Sequence, residues 1–141
     1  MANPYKDGSL LYYFNIDDYA KLNGDEVYVN MNMDRSFLSD YIKKDRKQAI
    51  DREFKNTDRE VVTLKIPLGY ELEYMPRNTS FKNDMFGFEQ HYSKTPAGLV
   101  MDFSMYCNVL LIEPAMFQEW NKEMKELQKA FAEVVILKKA H

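Results

Sequence analysis

Cysteine is almost missing from this chain. Cys107 stands alone, which excludes an internal disulfide and any cysteine-based zinc site. An excess of basic residues is missing too: the net charge is −3 and the pI near 5.4, a balance that argues against a general nucleic-acid binder. No apolar run approaches membrane-spanning length. The stretch from Met1 to Ser9 has neither a basic n-region nor an apolar h-region, so no signal peptide is expected there. So abrupt a start is equally what the edge of an excised domain would look like. Internal repeats, low-complexity segments and linkers are also absent. What remains is ordinary globular composition, with 45% hydrophobic and 29% charged residues in 141. That is one domain, 1–141, large enough for a core without staples. Ten Tyr and nine Phe tilt it towards strands.

The stretch from Phe81 to Ile112 organises the rest. Leu99, Met101, Phe103, Met105 and Cys107 alternate with Asp102, Ser104, Tyr106 and Asn108, the pattern of a strand with one dry and one wet face. A turn at Thr95-Pro96-Ala97-Gly98 joins it to the run before. Pairing Lys94 with Leu99 sets Tyr92 opposite Met101, Phe88 opposite Met105 and Phe86 opposite Cys107. A slip by one residue would oppose Met101 to His91 and bury polar side chains. Upstream, Leu10 to Ile16 is apolar on both parities and predicts a strand covered on both sides. Asp17-Asp18 and Asn23-Gly24 bracket a turn-rich connection. Glu26 to Met33 predicts a strand with Val27, Val29, Met31 and Met33 inward. Asp34 or Ser36 would cap a short helix carrying Phe37, Leu38, Tyr41 and Ile42. Gln48 to Phe54 predicts an edge strand by its charge. Val62, Leu64 and Ile66 point inward from the next strand, Pro67-Leu68-Gly69 turns the chain, and Tyr70, Leu72 and Tyr74 alternate until Pro76.

After Ile112 the period changes. Phe117, Trp120, Met124, Leu127 and Phe131 recur at helical spacing, with Trp120 as the core anchor and Lys122 and Glu126 paired on the polar face. Pro114 suits a first turn. Val134 to Leu137 is β-branched and predicts a short last strand. The fold class is therefore mostly β, an antiparallel β-sandwich with one amphipathic helix near the C-terminus.

Several stretches together resemble one family. They are Ile66-Pro67-Leu68-Gly69-Tyr70-Glu71-Leu72-Glu73-Tyr74-Met75-Pro76, the Phe81-Lys82-Asn83 step, Phe86-Gly87-Phe88 with Tyr92, and Val135-Ile136-Leu137-Lys138-Lys139. From Leu10 to Lys139 the chain resembles the uncharacterised C-terminal module of bacterial exported transglutaminase-like proteins, which follows a β-rich domain and a papain-like catalytic domain. The resemblance implies a non-catalytic accessory domain whose partner is the parent's catalytic domain, in the periplasm or outside the cell. It also implies a surface left bare by excision, open to self-association. The family's Cys-His-Asp residues belong to the upstream domain, so none is carried over. The alternative is an independent glycan- or peptide-binding sandwich.

Cys107, His91 and Asp102 match a cysteine-protease triad in composition. The register, however, turns Cys107 to the dry face, about 17 Å along the ladder from His91. Cys107 is then a small core residue, and His91 with Asp102 a surface pair. Asp17, Asp18, Asp25 and Glu26 cluster oxygens as a calcium loop does, but without EF-hand spacing they read as turn residues. Lys43 to Lys47 would touch phosphates, yet Asp45, Asp51 and Glu53 make a solvated loop the better reading. Tyr12, Tyr13, Tyr28, Tyr41 and Tyr106 would form a sugar- or peptide-binding platform if they shared an exposed face; otherwise they pack the core. His141 belongs to the tail. No catalytic, cofactor-binding or metal-ligating residue is expected, and no cofactor.

Overall fold

The structure, a computed structural model, describes residues 8–11, 13, 15–36, 41–53 and 55–141. In chain order these form β1 (Lys21–Asn23), β2 (Glu26–Val29), β3 (Ile50–Asp51), β4 (Asn56–Leu64), β5 (Tyr70–Tyr74) and β6 (Thr79–Lys82). The long strands β7 (Phe86–Thr95) and β8 (Gly98–Cys107) follow, then β9 (Leu111–Ile112). A 3-10 turn (Pro114–Met116) leads into α1 (Phe117–Ala132), and β10 (Val135–Lys139) ends the fold. One antiparallel sheet runs β4-β8-β7-β6, a second β1-β2-β10-β5, and β3 pairs with β9. The result is a mostly-β sandwich with one C-terminal amphipathic helix. Among the described residues no helix is long and apolar enough to cross a membrane.

The central hairpin has the register that the alternation predicts. Phe86 faces Cys107, Phe88 faces Met105, Tyr92 faces Met101 and Lys94 faces Leu99. Thr95 and Gly98 also pair, so the connection narrows to Pro96-Ala97. Gly98 has φ +133°, and a Cβ there would lie 2.2 Å from the Leu64 carbonyl oxygen. Only glycine lets β8 start against the end of β4. On the dry face Phe86, Phe88, Leu99, Met101, Phe103, Met105 and Cys107 are all buried. On the other face the Tyr106 ring fills the space a side chain at Gly87 would need, 2.5 Å from its Cβ position. That contact explains the small residue between Phe86 and Phe88.

Helix α1 lies on the dry face because its apolar stripe matches it. Trp120, Met124, Leu127 and Phe131 are buried. The Phe86 and Trp120 rings sit 5.8 Å apart, and Phe103 meets Phe131 edge-on at 5.1 Å. Val135 and Leu137 then carry the second sheet onto the same core, with Val27 and Leu72 packed at its margin. The last strand is central in that sheet, held between β2 and β5. Pro67-Leu68-Gly69 joins an edge of one sheet to an edge of the other.

Other expectations fail because a strand needs a partner as well as a pattern. The described residues between Leu10 and Ile16 form no strand, and Leu10, Leu11 and Tyr13 are 84%, 80% and 91% exposed; Tyr12 and Phe14 fall outside the described residues. Strand β2 stops at Val29, so alternation lapses: Met31 is buried but Met33 is exposed. Of Gln48 to Phe54 only Ile50–Asp51 pairs, and Phe54 lies outside the described residues. Phe37 and Leu38 of the proposed short helix lie outside them too. Its cap survives as an Asx turn, the Ser36 N–H donating to Asp34 Oδ1 at 3.0 Å. Lys122 and Glu126 do not pair, since Lys129 Nζ donates to Glu126 Oε1 at 2.9 Å from one turn further on. Strands β1, β6 and β9 have no more than four residues each, too few for periodicity to reveal.

Candidate functional site

The residues that imitate a triad are held apart. Cys107 is 1% exposed on the dry face, while His91 and Asp102 oppose each other on the wet face, five pairs along the ladder from Phe86 and Cys107. Even that cross-strand pair has other partners. Arg59 on β4 grips Asp102 with both ends of its fork, Nε to Oδ1 at 3.0 Å and Nη2 to Oδ2 at 2.7 Å. This bond holds the Asp102 carboxyl below the usual carboxylate range. His91 Nε2 instead lies 3.7 Å from Glu89 Oε2. The expected His91–Asp102 surface pair therefore gives way to an arginine that strand order alone brings alongside.

Nor do the other sequence candidates assemble. Among the described residues no three of His, Cys, Asp and Glu converge as metal ligands would. Asp25 ties down the C-terminal segment, its carbonyl accepting from the Lys139 N–H at 2.8 Å and its carboxylate 3.4 Å from His141 Nε2. The tyrosines are dispersed. The Tyr28 hydroxyl donates to Glu26 on the second sheet, and that of Tyr106 donates to the Asn83 carbonyl at 3.3 Å on the first. Tyr13 stands in solvent, Tyr41 sits beside α1, and Tyr12 is outside the described residues. They share no platform.

Two buried polar features escaped the sequence reading. Gln90 occupies a dry-face position of β7 and is 1% exposed. Its Nε2 donates to Asn32 Oδ1 at 2.5 Å and to Met101 Sδ at 3.1 Å. Asn30 continues the network, its Nδ2 donating to the Phe131 carbonyl at 2.7 Å and its Oδ1 accepting from the Asn32 N–H at 2.9 Å. The chain leaving β2 is thus bonded to both β7 and the end of α1. Buried Tyr92 lies beside Asn32, and desolvation pushes its phenol up to about 12. The second feature is Glu123, fully buried, with both carboxylate oxygens unpartnered. Burial, helped by Glu119, raises it to about 8, so it is protonated at neutral pH. The signal for both was parity: Gln90 shares that of Phe88 and Tyr92, and Glu123 lies three residues after Trp120 and four before Leu127.

A cleft of about 550 Å³ opens where the 41–46 segment meets the start of α1. Asn121 fastens that segment to the helix. Its Oδ1 accepts from the Ile42 N–H at 2.8 Å, and its Nδ2 donates to the Ile42 carbonyl at 2.7 Å. One amide thereby satisfies both backbone groups of a buried residue, as a neighbouring strand would. Lys43, Lys44 and Arg46 line it from the segment and Lys122 and Lys125 from the helix, together with Tyr41 and Phe117. A second cavity of about 410 Å³ lies across Arg46, reaching Asp45, Arg52 and Trp120. The Arg52 guanidinium stacks 5.4 Å from the Trp120 ring. The basic run 43–47 is exposed and outside any helix or strand, as the solvated-loop reading expects, and three of its cations also line the cleft beside α1.

Residues 25–137 match the family described as a domain of unknown function with a solved structure, DUF3858. The chain belongs to that family. The DUF3858 span begins in the β1–β2 turn and ends inside β10. It contains the Asn32–Gln90 network, Glu123 and the whole basic cleft, so these are features of the DUF3858 region and not of its flanks. No curated protein and no solved structure matches the chain.

Proposed function

We propose that this chain is a non-catalytic accessory domain, which docks against, or presents substrate to, a transglutaminase-like catalytic domain of papain type in a bacterial exported protein. Its setting would then be the periplasm or the cell exterior. The Ile66 to Pro76 segment and the Phe86-Gly87-Phe88 step support the link by resemblance. The observation that carries the non-catalytic reading is the placement of Cys107. A nucleophile works within about 3 Å of its base, and this thiol faces the core while the hairpin histidine faces water. A second reading, an independent peptide-binding module, draws on the basic cleft beside α1.

The test is turnover. Purified chain is incubated with glutaminyl peptides plus an amine and, separately, with peptide substrates. No activity is expected, and Cys107→Ala should behave as the parent chain does. Turnover that disappears with Cys107→Ala would overturn the reading. The parent reading frame separates the two versions: an upstream Cys/His/Asp domain favours the accessory role, and a frame without one favours the free-standing binder.

A further inference from the structure

We infer that the cleft between the 41–46 segment and the first turns of α1 is a binding site for an acidic polypeptide segment; the inference rests on the interaction-domain reading above and names the partner's chemistry. Five cations line the cleft, Lys43, Lys44, Arg46, Lys122 and Lys125, and among the described residues no carboxylate lines it, Asp45 lining the adjoining cavity instead. This is notable in a chain of net charge −3. Like charges converging in a cleft repel one another and persist at a cost unless something anionic shares the space. None of the four lysines has an ion-pair partner among the described residues. Tyr41 and Phe117 also line it, so the site suits a chain carrying carboxylates around an apolar or aromatic side chain. At about 550 Å³ the cleft falls within the range of sites that enclose a few residues of a ligand.

Carboxylates fit better than phosphates. Phosphate sites favour the free arginine fork or a helix N-terminus with open N–H groups. Here Arg46 already spends Nε and Nη2 on the Gln48 and Ala49 carbonyls, at 3.0 and 3.4 Å. The start of α1 is closed as well: Pro114 has no N–H, and the Met116 and Phe117 N–H groups donate to the Glu113 and Pro114 carbonyls. Lysines on long stems are mobile point charges, adaptable to carboxylates on a flexible chain. A long nucleic acid would meet a molecule whose remaining surface is acidic on balance. The cations have two origins, Lys122 and Lys125 one turn apart on α1 and the other three on a segment clamped by Asn121. The backbone at Ile42 is thus held against the helix, so the segment need not be ordered anew on binding, while the lysine stems stay adaptable.

The experiment is fluorescence anisotropy with a fluorescein-labelled peptide of alternating Glu and Gly around one Phe, and a matched peptide with Gln for Glu. Saturable binding of the Glu peptide alone is expected, weakening as salt is raised. Lys122→Glu/Lys125→Glu should raise Kd about tenfold or more, and Lys43→Gln/Lys44→Gln should raise it in the same direction. The remote control Lys65→Glu/Lys94→Glu carries the same change in net charge and should stay within about twofold. All three variants alter exposed side chains, and an unchanged far-ultraviolet spectrum verifies their folding. Three results overturn the inference: no binding of the Glu peptide, equal losses in the cleft and control variants, or displacement of the peptide by inorganic pyrophosphate at lower concentration than by free Glu peptide. Each leaves the interaction-domain reading standing, because that reading is tested by turnover and by the reactivity of Cys107, neither of which these measurements touch.

Discussion

Gln90 shows how one side chain decides what a strand pattern leaves open. An amide at a dry-face position costs free energy unless it is bonded, and the partner here is Asn32, 58 residues away in sequence. Gln90→Leu should destabilise by about 1–3 kcal/mol, since Asn32 Oδ1 would be buried unbonded. Adding Asn32→Leu should cost less than the two single changes summed, by about 1 kcal/mol, because the orphaned acceptor goes too. Urea melts of the four-protein cycle measure this, and strict additivity would mean the bond contributes nothing. Glu123 poses the opposite case, a buried acid with no hydrogen-bond partner among the described residues. Below its ordinary value of 4.5 the side chain is protonated folded or unfolded, and stability is at its full value. Between 4.5 and about 8 the folded state keeps a proton that the unfolded chain releases, so stability falls as pH rises, by up to about 1.4 kcal/mol per unit. Above that interval the slope vanishes. Glu119 on the same helix adds to the effect, and half-buried Glu60 on β4, raised by desolvation, contributes in the same direction. Glu123→Gln should therefore match the parent near pH 5 and exceed it near pH 8, with Glu60 common to both. Parallel pH profiles for the two proteins would refute the assignment.

At the scale of elements, α1 and the β7–β8 hairpin are two halves of one contact. The helix spacing and the strand alternation each mark an apolar face, and the faces meet through Trp120 on Phe86 and Phe131 on Phe103. Trp120→Ala should cost about 3–5 kcal/mol, because a large ring leaves a packed face and the surroundings relax only in part. Lys122→Ala, on the solvent side, should change stability by no more than about 0.5 kcal/mol. Denaturant melts distinguish them, and similar losses would mean the buried stripe lies elsewhere. Both patterns were legible in the sequence because they persist over ten residues or more. The strand order of the second sheet was not, although β2, β5 and β10 each fall on an expected strand. Its first two strands have three and four residues, and nothing local tells β10 that it will lie between β2 and β5.

For the whole molecule, the sandwich closes around a single thiol. Cys107 lies between the hairpin and the rest of the core, so its exposure requires the sheet to separate from what covers it. In native buffer a thiol reagent should label the chain slowly, and the rate should rise steeply with urea, following global unfolding. Rapid labelling at neutral pH without denaturant would place Cys107 in an accessible, reactive setting and count against the accessory-domain reading as well.

By itself the sequence determined what repeats along it: the hairpin register, the helix stripe, the turn at Pro67-Leu68-Gly69 and the burial of Cys107 and Trp120. These follow from local periodicity, which each stretch carries whatever the rest of the chain does. Only the tertiary structure decided which strands pair and which polar groups meet. Leu10 to Ile16 had a strand's composition, and its described residues joined no ladder. Asp102 had a histidine opposite and took an arginine from the next strand. The exposed cations at 43, 44 and 46 share a cleft with Lys122 and Lys125 because Asn121 clamps their neighbour Ile42 to the helix. Pairing and charge convergence depend on positions tens of residues apart, set by the order of strands in a sheet, and no window of sequence holds both partners at once.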